Sequence, residues 1–156
     1  MRLEIWIVGK TKTKWIHEGE IEFTKRCRRF TSIEEIVIPG GKSKTATISK
    51  IEESDRILDR LKRSPKVYTI LLDERGKLRS SVDFSRHLEN TLMHRGASLR
   101  FITGGPFGVN EHVRQACDEV ISLSPMVFTH ELVRVILLEQ IYRAFTILRG
   151  ESYHHI

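Results

Sequence analysis

Two hydrophobic periods take turns along the chain. Short apolar runs of strand length alternate with stretches where apolar residues recur every three or four positions. Residues 2–8, rich in Ile and Trp and partly alternating, predict a first strand, and residues 9–14 a basic loop. Ile16, Phe23, Cys27 and Phe30 fall at helical spacing, predicting a helix over 15–30. A second strand over 33–38 ends at Pro39-Gly40-Gly41, and a polar, basic surface loop over 42–47 follows. Ile48, Ile51, Leu58 and Leu61 mark a second amphipathic helix, closed by Ser64-Pro65. Residues 67–72 are almost continuously apolar, as in a central strand covered on both faces. Residues 73–81 read as a turn and loop. Phe84, Leu88 and Leu92 carry a third helix capped by Ser80, with Gly96 as its stop. A strand over 99–103, a short helix capped by Asn110 and running to Cys117, and a strand over 120–123 come next. Thr129 opens a last helix that runs to about Leu148. This alternation predicts one domain over 1–156, an α/β chain with a mostly parallel sheet and helices on both faces.

The last helix departs from the pattern, because its apolar residues do not fit one narrow stripe. Such a helix is covered on more than one side. Either its own domain wraps it, or one face meets a second copy in a homodimer, the reading we favour. Glu139 and Arg143, four apart, can pair on it, and Glu131 suits the dipole of its first turn.

Charge changes the picture more than composition does. The formal net charge is +6, and all of it lies in the first 66 residues, where 16 Lys and Arg face 10 Asp and Glu; the remainder is balanced at 10 against 10. A basic half joined to a neutral one suggests a polyanion partner and a separate small-molecule site. No apolar run reaches membrane length, and no cleavable leader is legible. Cys27 and Cys117 read as reduced thiols, and with them the expected location is cytoplasmic.

Known nucleotide, zinc and hydrolase motifs are absent, and no metal site is expected. In a parallel sheet, ligands bind beyond the carboxyl ends of the strands. Three loops cluster there: Leu72-Asp73, the turn Gly104-Gly105-Pro106, and residues 123–128. The two glycines let the backbone bend and approach a ligand without a Cβ in the way. A neutral pocket lined by main chain and by Leu72, Leu123, Met126, Val127 and Phe128 suits an adenine-bearing cofactor. His130 stands beside it. Tyr153, His154 and His155 near the end suit stacking on an RNA base.

The segments VGK, TILLDERGK, FITGGPFG, ISLSPMVFTHELVRVILLEQIYRAF and RGESYHHI resemble the RlmH (YbeA-like) group of SPOUT methyltransferases over essentially the whole chain. The resemblance implies a homodimer with a C-terminal trefoil knot, the knot and dimer helix lying within about 99–150 and the tail at 151–156. It implies S-adenosylmethionine as cofactor, held at Leu72, Gly104, Leu123, Ser124, Pro125, Met126, Val127 and Phe128. It implies methylation of N3 of a pseudouridine in helix 69 of 23S ribosomal RNA on the assembled ribosome. The site it implies is composite, one subunit's pocket being completed by its partner's tail. Tyr153 and His154 match tail residues tied to the nucleotide, and Glu139 and Arg143 match the polar pair of the dimer helix. Relatives carry Arg or Lys where this chain has His155, so the expected RNA contact there is weaker or more dependent on pH.

On this reading, His154, or else His130, assists loss of the N3 proton, and Arg134 or Arg143 favours the ring anion. Lys10, Lys12, Lys14, Arg26, Arg29, Lys42 and Lys44 dock the RNA backbone. Two alternatives stay open: a non-catalytic ribosome- or RNA-binding dimer with a vestigial cofactor pocket, and a flavodoxin-like enzyme of small molecules.

Overall fold

After its first residue β1 (Arg2–Val8) is buried throughout, because it lies inside a five-stranded sheet with helices above and below. The structure, a computed structural model, describes residues 1–94 and 98–153. The other strands are β2 (Ser32–Ile38), β3 (Tyr68–Leu78), β4 (Ser98–Thr103) and β5 (Glu119–Ser122). They stand in the order β2-β1-β4-β3-β5, and every pairing is parallel. The helices are α1 (Lys14–Cys27), α2 (Ala46–Arg63), α3 (Ser81–His94), α4 (Glu111–Ala116) and α5 (Leu132–Leu148). Gly96, the expected stop of the third helix, lies outside the described residues.

Alternate side chains of each strand feed two cores. Leu3, Ile5 and Ile7 join Ile70, Phe84, Leu88, Phe101 and the inner face of α5, while Trp6 and Val8 join Ile38, Ile57, Leu71, Ile102 and Val113. Connections that run toward the β2 edge use α1 and α3 on the first face; those that run toward β5 use α2 and α4 on the other. A single handedness of crossover requires that division.

The second core also seals an ion pair. Arg100 Nε donates to Glu4 Oε2 at 2.8 Å, and Trp6 Nε1 donates to the same oxygen at 3.0 Å. The Arg100 guanidinium lies 4.2 Å from the Trp6 ring centroid, so the charge is compensated and packed at once.

Four differences from the sequence expectations have physical causes. The segment 73–78 continues β3: the ladder breaks after Leu72 and resumes at Lys77, which pairs with the same Ile121. Gly76 permits this, since a Cβ there would stand 2.5 Å from the Ile121 carbonyl carbon. Helix α1 stops at Cys27, with Phe30 packed beyond it against Tyr142 and Phe145. In α2, Ile48 and Ile51 are exposed, whereas Ser49, Glu53, Ser54 and Ile57 point inward. Its first half packs on glycine turns rather than on the apolar core, so polar side chains do the packing there. Helix α5 begins at Leu132, with Thr129 Oγ1 accepting from the Leu132 amide at 3.3 Å.

Candidate functional site

Three strand ends meet a short apolar loop and enclose a cavity of about 340 Å³, within the usual range for a small-molecule site. Leu72 closes it from β3, Thr103, Gly104 and Gly105 from the end of β4, and Leu123 and Ser124 from the end of β5. Met126, Val127 and Phe128 continue the wall, Met126 and Val127 being among the most exposed large apolar side chains of the molecule. Thus seven of the eight expected cofactor residues line one cavity. Pro125 lies in the loop without lining it.

The loop is shaped by its serines. Ser122 Oγ accepts from the Ser124 amide at 3.3 Å and donates to the Ser124 carbonyl at 2.8 Å, while Ser124 Oγ accepts from the Met126 amide at 2.9 Å. These short bonds hold the chain open at the end of a strand, as Ser side chains do in turns.

The glycine turn has a cause other than ligand approach. A Cβ on Gly105 would stand 2.3 Å from Glu53 Oε2, and one on Gly104 would stand 3.1 Å from the Gly108 backbone. Packing behind the turn therefore opposes a side chain at Gly105, where the buried Glu53 would have to move, and leaves little room for one at Gly104. Glu53 is 3% exposed; its other oxygen accepts from the Gly41 amide at 2.8 Å. One residue on, Ser54 Oγ accepts from the Asn110 amide at 3.0 Å, and Asn110 caps α4 through the Val113 amide at 3.1 Å. Helix α2 is thus the bed on which the turn rests.

The expected neutral, backbone-dominated lining is incomplete, for charged groups rim the cavity. Lys50 reaches it from α2, and Asp73, Glu74 and Arg75 from the β3 extension. Burial works against the Asp73 charge, but hydrogen bonds from Arg75 and the charge of Arg114 outweigh it and hold the carboxyl below its ordinary value. His130 also lines the cavity; burial and the Arg134 charge hold it below the ordinary histidine value, against the opposing pull of Glu131 and Glu53. Lys50, Thr103 and Ser122 carried no signal in the sequence, because tertiary packing alone aims them here.

Two residues at the start of α5 turn away from the cavity. Glu131 accepts from the Lys12 and Thr13 amides at 2.9 and 3.2 Å, which satisfies the start of α1 rather than the dipole of its own helix. Hydrogen bonds from the Lys12 amide and from the Thr13 hydroxyl and amide draw its carboxyl down to about 2, against the opposing effect of burial. Arg134 is 1% exposed and donates to the Val8 carbonyl at 2.6 Å and to Thr11 Oγ1 at 2.7 Å. It holds the basic loop 9–13, so the expected role of stabilising a ring anion in the cavity does not fit its position.

The polar pair of α5 forms as expected, in another place. Arg143 Nε and Nη2 donate to Glu139 Oε1 at 2.9 and 2.6 Å, and the Tyr153 hydroxyl donates to the same oxygen at 3.2 Å. The Tyr153 ring meets Tyr142 edge-on at 4.8 Å, beneath the Arg143 guanidinium. Burial, then the Glu139 charge, pushes the Tyr153 phenol above its ordinary value. Val133 lines the cavity and Arg143 lies ten residues further along α5, about 15 Å at the helical rise. No member of this cluster lines the cavity of its own chain. His154 and His155 lie outside the described residues.

Among the expected RNA contacts, Lys10, Lys12, Lys42 and Lys44 are exposed, whereas Lys14, Arg26 and Arg29 face Glu18, Glu22 and Glu151 within ion-pair distance. Burial pushes the Cys27 and Cys117 thiols up to about 12, which keeps both protonated. Among the described residues no group of three or more His, Cys, Asp and Glu could hold a metal ion, and no helix is long and apolar enough to cross a membrane.

Comparison with known proteins bears on this arrangement. The family model described as Predicted SPOUT methyltransferase matches residues 1–154. A protein of Cytophaga hutchinsonii named ribosomal RNA large subunit methyltransferase H is 38% identical over 157 residues, covering 99% of this chain and all of the relative. A protein of the same name from Geobacter sulfurreducens is 39% identical over 155 residues, with the same coverage. Among solved structures, a Legionella pneumophila protein in complex with the bound cofactor SAM aligns with a TM-score of 0.54 at 11% identity, over 92% of this chain and 66% of that one. The tRNA (m1G37) methyltransferase of Aquifex aeolicus aligns with a TM-score of 0.54 at 16% identity, over all of this chain and 76% of that one.

Proposed function

The chain belongs to the SPOUT methyltransferase family, with the knotted α/β fold of that family, and from that premise we propose that it is an S-adenosylmethionine-dependent methyltransferase of large-subunit ribosomal RNA. The observation that carries this reading is the cavity at the ends of β3, β4 and β5, walled by main chain and apolar side chains and preformed by the Glu53 and Ser54 supports. Such a wall fits a cofactor with an adenine ring and an aliphatic arm. Leu72, Gly104, Leu123, Ser124, Met126, Val127 and Phe128 would hold it, with Pro125 shaping the loop. When bound, S-adenosylmethionine supplies a methyl group already made electrophilic by its sulfonium.

What remains for the protein is to align the target nitrogen, exclude water and help it lose its proton. The full-length relatives favour ribosomal RNA as substrate. The finer reading, N3 of a pseudouridine in helix 69 of the 23S RNA on the assembled ribosome, rests on the resemblance of the motifs. The Tyr153, Glu139 and Arg143 cluster enters as the partner's contribution in a homodimer. In one chain Glu139 and Arg143 lie about 9 and 15 Å further along α5 than Val133 of the cavity lining, at the helical rise. It sits on a half-exposed stripe of α5 (Leu132, Ile136, Glu139, Arg143, Ile147) left over after α1 and α3 have packed against that helix. A second copy laid across that stripe brings the tail of one subunit toward the cavity of the other.

Transfer of labelled methyl from S-adenosylmethionine to ribosomes lacking the modification, mapped by mass spectrometry, tests the proposal. One labelled pseudouridine in helix 69 is the expected result. A chain that binds the cofactor by calorimetry and labels no ribosomal RNA would overturn it, and one that binds no cofactor would point to the vestigial RNA-binding dimer. Deleting residues 153–156 should abolish turnover and spare cofactor affinity; equal loss of both would contradict the composite site.

A further inference from the structure

A second concavity lies on the opposite edge of the sheet from β5. It has a volume of about 500 Å³, with Ile38 and Pro39 at the end of β2 on one side and Arg56, Arg60 and Arg63 of α2 on the other. The three arginines fall at i, i+4 and i+7, one face of the helix. Asp59 is the single acidic residue in the lining.

The three guanidiniums are in different situations. Arg56 is locked: it donates to the Pro39 carbonyl at 2.9 Å and to the Gly40 carbonyl beside it. Arg63 pairs with Asp59 at 2.8 Å while remaining largely exposed. Arg60 has no carboxylate partner among the described residues; its guanidinium is instead held over the buried Trp6 ring, 5.4 Å from the centroid. A planar cation that rests on an aromatic face while its residue stays exposed is available to a phosphate.

The surroundings reinforce this. Residues 42–66 hold eight Lys and Arg against four Asp and Glu, an excess of four in a chain whose net charge is +6. The helix also leads somewhere. Lys50, in its second turn, lines the cofactor cavity, and Arg63 ends it, about 20 Å away at the helical rise.

We propose that this groove is a docking site for the phosphodiester backbone of the RNA substrate, centred on Arg60 and carried by the same helix that reaches the cofactor cavity at Lys50. The inference rests on the proposed RNA substrate and adds a second contact region that none of the lysines of the first loops supplies. An open groove that follows a helix suits an extended polyanion better than a compact phosphate metabolite, which would be enclosed.

The test uses the full chain, with Arg60→Gln/Arg63→Gln as a double variant and Arg63→Glu as a second variant at an exposed position that cannot disturb Trp6. Binding to ribosomes and to a 23S RNA fragment is measured across a salt series, and cofactor affinity by calorimetry. The double variant should bind RNA about tenfold more weakly at low salt, with the logarithmic salt slope reduced by about 2. Arg63→Glu should show a smaller loss in the same direction, and both should keep the wild-type cofactor affinity. RNA affinity and slope unchanged in both variants would overturn the groove while leaving methyl transfer untouched. Dependence on these arginines for anionic phosphatidylserine vesicles, and not for RNA, would overturn it too. Conversely, RNA binding that depends on them in a chain that transfers no methyl would leave the groove standing and sink the enzymatic reading alone.

Discussion

Two Arg–Glu pairs of almost the same geometry occupy opposite situations. Arg100 and Glu4 meet at 2.8 Å inside the sheet, with side-chain exposures of 2% and 7%. Arg143 and Glu139 meet at 2.6 Å on the outer stripe of α5, with exposures of 25% and 19%. In the first, the Trp6 indole and Arg100 Nε share one carboxylate oxygen, and Arg2 stands 3.3 Å from the other, so the pair ties neighbouring strands together. In the second, Tyr153 of the tail, packed against the edge of the core beside Tyr142, is drawn onto the same oxygen. The difference teaches that an ion pair is read by what else it holds. One is an internal brace, and the other is the polar cluster that the proposed composite site would turn toward a nucleotide.

The comparison can be broken most sharply at Glu4. Glu4→Gln strands the buried Arg100 charge and should cost about 3–5 kcal/mol of stability, measured by urea unfolding, with little change in turnover per folded molecule. Arg143→Ala should do the reverse. Its pair is partly solvated, so stability should fall by no more than about 1 kcal/mol, while methyl transfer drops about a hundredfold. If Arg143→Ala unfolds the chain, or Glu4→Gln leaves stability intact, the contrast is wrong.

Glu131 tests whether burial or hydrogen bonding makes a carboxylate structural. Its carboxyl is lowered to about 2 by hydrogen bonds from the Lys12 amide and from the Thr13 hydroxyl and amide, so the ionised form stabilises the fold. That contribution is complete above the ordinary glutamate value of about 4.5 and is lost as pH falls toward 2. Glu131→Gln should cost about 1 kcal/mol near neutrality, as a lost helix cap does, and should flatten the acid limb of the stability profile. Tyr153→Phe is the gentlest probe. It removes one hydroxyl from Glu139 and should leave stability nearly unchanged while slowing turnover several-fold, in a single-turnover assay.

Most of the architecture was legible because it rests on local pattern. The strands near 2–8, 33–38 and 99–103, the caps at Ser80 and Asn110, and the cavity walls at Leu72, Gly104 and the 123–128 loop all follow from periodicity and from where parallel strands end. The misses share a cause as well. Residues 73–78 (DERGKL) carry turn chemistry and became strand only because Gly76 lets the chain lie on Ile121. Glu53 is charged and in mid-helix, which reads as a solvent face; only its position under Gly105 makes it internal. The sequence reads the apolar excess of α5 as a face for a second copy, with wrapping by its own domain as the alternative, and α1 and α3 of the same chain cover much of it. In each case a contact between distant segments outweighed the local signal.

The grip of Arg134 on the loop after β1 also sets an order of events in time. Its bond to the Val8 carbonyl spans 126 positions of sequence, and the bonds from Glu131 to Lys12 and Thr13 span 119 and 118. Contacts of such separation form late, after the entropy of closing a long chain has been met. During synthesis the basic loop emerges long before its holders and stays without them until α5 is made. The basic loop proposed to meet RNA therefore matures together with the cofactor cavity, and an incomplete chain offers neither.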